Sequence, residues 1–144
     1  MPSTAEQTFA TFVISSSNRF SHAAAVAVAE ASARAYDPLV IWGPSGVDKG
    51  HLLHATGDYT RRLHPDLSQR YVAAGDLDPE DFAGLVEPDV LLDDLHLVGA
   101  SLDGLNVLLL ERDRRHRQTV LTSGRSPREI DGFNEFFRPR FEWG

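Results

Sequence analysis

The chain has 144 residues, enough for one core and hardly for two independent ones. Its 42% hydrophobic and 24% charged residues suit a soluble globular domain, and the lack of cysteine excludes disulfides and thiolate metal sites. A formal net charge of -7 argues against the whole domain serving as a nucleic-acid footprint.

The opening, "MPSTAEQTFATF", has no cationic segment followed by an apolar one, so no secretory signal is expected. No later stretch approaches the roughly 20 apolar residues of a membrane helix, and the expected address is cytoplasmic. Residues 1–8 read as a loose lead-in. "NRFSHAAAVAVAEASARAY" then reads as an alanine-rich helix with Phe20, Ala24, Ala27, Val28 and Ala31 on one face. Four short apolar runs follow, spaced by helical stretches: Leu39 to Trp42, Arg70 to Ala73, Asp89 to Leu92 and Thr119 to Thr122. Such runs read as buried strands of a parallel sheet. "KGHLLHATGDYTRRL" and "LDGLNVLLLERDRRHR" supply helices after the first run and before the fourth. Two further helix starts are marked by caps, "DPED" (Asp78 to Asp81) and the capping box "SPRE" (Ser126 to Glu129). The expected fold is a three-layer α/β domain of the P-loop NTPase type, a parallel sheet between helices.

Chemistry is expected at the carboxyl ends of those strands, where α/β domains hold nucleotides. The first strand runs into "GPSGVDKG", against the phosphate-loop pattern G-x-x-x-x-G-K-[ST]. Gly43 and Lys49 fit, and Lys49 is the chain's single lysine. Asp48 stands where the last glycine belongs, and Gly50 where the hydroxyl residue belongs. The third strand ends in Asp93 and Asp94, acids of the kind that hold Mg²⁺ and orient water beside a phosphate loop. The fourth leads into "TSGRSP", where a polar residue could touch a γ-phosphate.

Together these segments resemble the AAA+ domain of the bacterial replication initiator DnaA, in the DnaA/Hda-like family. The resemblance runs in order from "TFATFVISSSNRFSHAAAVAVAE" through "VIWGPSG", "KGHLLHA", "DVLLDDLHLV" and "TVLTSGRSPREI" to "RPRFEWG". It implies one AAA+ core domain over residues 1–144, with the family's helical lid and DNA-binding domain expected to be absent. It makes Gly43, Gly46 and Lys49 the phosphate loop, and Asp93 and Asp94 the acids at metal and water, with Asp93 meeting Mg²⁺ if ATP binds. Asn18, Arg19 and Phe20 fall on the adenine side, and Arg140 matches an arginine finger reaching a neighbouring subunit's ATP.

The departures cluster on that same chemistry. Beside Asp48 and Gly50, Gly124 replaces the aspartate usual in the first sensor motif. The stretch before "DVLLDD" is shorter than the family's helical insertion. The leading expectation is a degenerate domain with poor or no ATP binding and hydrolysis, acting as a protein-interaction or regulatory module. The alternative is an ATP- and Mg²⁺-binding domain of the same family with a divergent loop. Protein partners are expected, DnaA itself or other domains of a longer protein among them. The acidic balance and the shortened insertion argue against direct DNA binding.

Plainer readings stand beside several of these residues. Lys49 is either a phosphate ligand or a counter-ion among Asp48, Asp93 and Asp94. His51 and His54, at i, i+3, lack the further ligands zinc requires. His96 reads as a loop residue before a general base. "ERDRRHR" reads as a solvated helix end, its cations suited to the helix dipole. Arg140 reads equally as a surface arginine.

Overall fold

The computed structural model describes residues 8, 19–31, 38–43 and 46–133, and of residues 19–21 and 46–48 the backbone alone. Four strands, β1 (Leu39–Trp42), β2 (Gln69–Ala73), β3 (Asp89–Asp93) and β4 (Thr119–Ser123), form an all-parallel sheet in the order β1-β4-β3-β2. Three α-helices accompany it: α1 (Arg19–Ala31), α2 (Gly46–Leu63) and α3 (Leu102–Arg114). Each strand lies within a residue of its expected bounds, because apolar runs buried on both faces leave little else for the chain to do.

The alternation of side chains along the strands divides the core in two. Leu39, Ile41, Leu91 and Val120 face one way and pack with Ala24, Ala25 and Val28 of α1 and with Leu52 and Leu53 of α2. Val40, Val90, Leu92 and Leu121 face the other, against Leu105, Leu108 and Leu109 of α3 and against Leu85 and Phe133. Helices thus cover both faces, giving the three layers.

Three expectations need correction. The buried stripe of α1 is Ala24, Ala25, Val28 and Ala29, with Ala27 and Ala31 only half-buried. Alanine at six of its thirteen positions, interleaved with Val26 and Val28, leaves the facing of such a helix to its neighbours. Second, the two capped starts open 3-10 turns, Pro79–Leu85 and Pro127–Glu129, and not α-helices. Asp81 does accept the Asp78 N–H (3.0 Å), and Ser126 Oγ accepts the Arg128 N–H (3.3 Å). A cap selects a helix start, but the short segment before Pro88 has no room for the turns that make an α-helix self-supporting.

The third concerns "ERDRRHR". Arg112 is 1% exposed and not solvated at all. Its guanidinium donates to the carbonyls of Leu85 (2.5 Å), Pro88 (2.6 Å) and Gln118 (2.6 Å) and to Thr119 Oγ1 (2.8 Å), tying the loop before β3 to the start of β4. Arg115 and Arg117 both pair with Glu87, and Arg114 and Arg115 with Glu111. The run is therefore largely neutralised within the chain. Among the described residues no helix is long and apolar enough to cross a membrane.

Candidate functional site

The strand order sets β1, β4 and β3 side by side, so their carboxyl ends meet at one edge of the sheet. The Gly43 N–H donates to the Ser123 carbonyl (3.1 Å), locking the loop after β1 to the end of β4. Helix α2 begins at Gly46 and carries Lys49 in its first turn. Position 48 is accordingly helical, so aspartate there meets no left-handed backbone strain. Lys49 is 6% exposed, and its Nζ donates to the Gly43 carbonyl at 2.5 Å. The lysine is folded back on the loop that it follows.

Gly50 stands where the hydroxyl ligand belongs. Among the described residues a Cβ added there would meet nothing within 4 Å. These residues therefore leave room for a larger side chain at this position and make no packing demand for glycine.

Asp93 is set by strand register. Val72 and Ala73 of β2 pair with Leu92 and Asp93, while Leu92 pairs with Leu121 of β4. Diagonal and adjacent neighbours on one face are thereby Tyr71 and Thr122. The Tyr71 hydroxyl donates to Asp93 Oδ2 (2.9 Å), and the Thr122 hydroxyl donates to Oδ1. Thr122 Oγ1 also accepts the Asp94 N–H (3.0 Å). Asp94 itself adopts φ 58°, ψ 55°, a left-handed conformation costing about 1–2 kcal/mol for an L-residue and least for Asp and Asn. The Tyr71 ring stacks on His54 with centroids 4.7 Å apart. Burial, then the bond to Asp93, raises the Tyr71 phenol well above its ordinary range. Burial also lowers His54 from its ordinary value, against the opposing pull of Asp93.

His96 lies on the 3-10 turn Leu95–Leu97, and its Nδ1 accepts the Gly124 N–H (2.8 Å). His51 Nε2 is 2.7 Å from the Thr8 carbonyl, so the two helix histidines have different partners. The edge thus gathers Gly43, Lys49, Asp93 and Asp94. Asn18 and Arg140 lie outside the described residues. So do the side chains of Arg19, Phe20 and Asp48, while Gly46 enters as the first residue of α2. Tyr71 and Thr122 were missed, and only the β2–β3–β4 register reveals them. A loop opening a helix, with acids two strands away, is the geometry of a nucleotide-binding edge.

The family model of the bacterial DnaA ATPase domain matches residues 4–87, more than half of the chain. The chain belongs to the bacterial DnaA ATPase domain family. It is similar to domain III of the Thermotoga maritima replication initiation protein DnaA, with 28% identity and a TM-score of 0.83 over 100% of this chain and 67% of that one. It also resembles AMPPCP-bound DnaA from Aquifex aeolicus, with 21% identity and a TM-score of 0.75 over 94% of this chain and 47% of that one. A replication initiator DnaA bound to AMPPCP and single-stranded DNA has 22% identity and a TM-score of 0.82, over 96% and 48%. These last two show the shared fold, and the chain spans about half their length.

Proposed function

We propose that this DnaA-type AAA+ domain has weakened nucleotide chemistry and works as a protein-interaction or regulatory module. The observation that carries the reading is the open space at Gly50. A hydroxyl ligand was left out where packing permits one, which is what relaxed selection on Mg²⁺ binding leaves behind. Supporting it, Lys49 bonds to its own loop, and both oxygens of Asp93 bond to hydroxyls of the chain. In the sequence, Asp48 adds a like charge to the phosphate-loop motif. At about 4 Å a carboxylate costs a phosphate oxygen roughly 1 kcal/mol in water and about 4 at an effective dielectric near 20.

A second reading, an ATP-binding initiator domain with a divergent loop, is favoured by one feature. Helix α2 still starts at the loop and presents Lys49 in its first turn. The AMPPCP-bound relatives make nucleotide the ligand to test. In either reading residues 1–144 form the AAA+ core, and Arg140 is the group offered to a neighbouring subunit. The double variant Asp48→Gly/Gly50→Thr separates the two. Degeneration predicts a gain in ATP affinity between about 5-fold and about 1000-fold, the range set by the charge term. An unchanged affinity contradicts it.

A further inference from the structure

Position 124 differs from position 50 in one physical respect. A Cβ built on Gly124 would lie 2.9 Å from His96 Cε1, 3.0 Å from Nε2 and 3.2 Å from Nδ1. All three atoms belong to one imidazole, so the ring lies against the α-carbon of residue 124. It fills the place where a side chain there would begin. The ring is also pinned, because its Nδ1 accepts the Gly124 N–H at 2.8 Å. A neutral imidazole that accepts at Nδ1 carries its proton on Nε2. A donor N–H therefore stands within contact distance of the missing side chain's first carbon.

We infer that His96 has taken over the sensor position of this domain and that any side chain at 124 would have to displace the imidazole. The inference rests on the DnaA-type reading, which makes residue 124 the sensor. His96 is a positioning residue at this edge, where it accepts the N–H of the residue that follows β4. The two glycine departures are then of different kinds. At Gly50 a side chain is missing and its space is open. At Gly124 a side chain is missing and its space is taken by a residue from the turn after Asp94. A hydroxyl can be restored at 50 without disturbance. An aspartate at 124 must push His96 aside, and the Gly124 N–H loses its acceptor.

The test uses the whole chain and needs no nucleotide. Long-range ¹H–¹⁵N spectra at neutral pH read the His96 tautomer, and thermal melts compare Gly124→Ala and Gly124→Asp with and without His96→Ala. The expected result is an Nε2–H tautomer and a melting point lowered by roughly 3 °C or more by either substitution at 124. In the His96→Ala background that loss should shrink to about 1 °C or less, since the colliding ring and its bond are already gone. Equal losses in the two backgrounds, or an Nδ1–H tautomer, overturn the inference. Tight ATP binding by the same protein would overturn the degenerate reading and leave the His96–Gly124 coupling standing, so the two failures are told apart.

Discussion

Replacing Arg112 with methionine tests whether this residue braces the interior or merely ends a helix. The stem can be mimicked, but the guanidinium and its bonds are lost. Gln118 O keeps the Val90 N–H at 3.1 Å, whereas the carbonyls of Leu85 and Pro88 lose donors at 2.5 and 2.6 Å. A buried acceptor left without a partner costs about 1–3 kcal/mol, giving about 2–6 for the pair. Relief from burying the guanidinium offsets part of this, for a net loss of about 3 kcal/mol. Unfolding entropy of about 2.1 cal/mol/K per residue, over a chain of this size, turns that into a fall in Tm of about 10 °C. Urea and thermal denaturation followed by circular dichroism measure it. Arg112→Lys should recover less than half of the loss, because an ammonium cannot serve the same fork of acceptors. A fall of less than about 2 °C for Arg112→Met would refute the brace.

The other expectations concern the site edge and the neighbouring subunit. His54 has its folded pKa lowered by burial, so on acidification the unfolded chain takes up this proton first. Stability should therefore fall as pH drops below about 6.5 towards the folded value, and His54→Phe, which keeps a ring on Tyr71, should flatten that part of the profile in urea midpoints. Mixing the domain with an active DnaA should raise ATP hydrolysis, and Arg140→Ala should remove the effect. Equal phosphate-release rates with and without the domain would count against an arginine offered in trans.

The strands were legible because each is a short apolar run whose ends are marked by polar or turn residues. The expectation of a loop and acids at one edge followed from their order, and the sensor position from the family resemblance. What escaped depends on register. Tyr71 and Asp93 are 22 residues apart, and Thr122 is 29 from Asp93, so nothing local announces their bonds. His96 looked like a loop residue and Gly124 like a simple loss until the turn after Asp94 was seen to set one against the other. Arg112 was misread for a related reason. Within "ERDRRHR" every arginine looks alike, and only the packing of α3 separates the buried one from those paired at the surface. The facing of α1 could not be fixed from its alanines, since apolar contrast around that helix is small.

Calorimetric titration of the unaltered chain with ATP and Mg²⁺, with phosphate release followed on the same samples, bears most directly on the central claim. A degenerate site predicts binding weakened toward about millimolar, as a charge term near 4 kcal/mol requires of an otherwise micromolar loop, and no turnover. Micromolar binding accompanied by steady hydrolysis would contradict it.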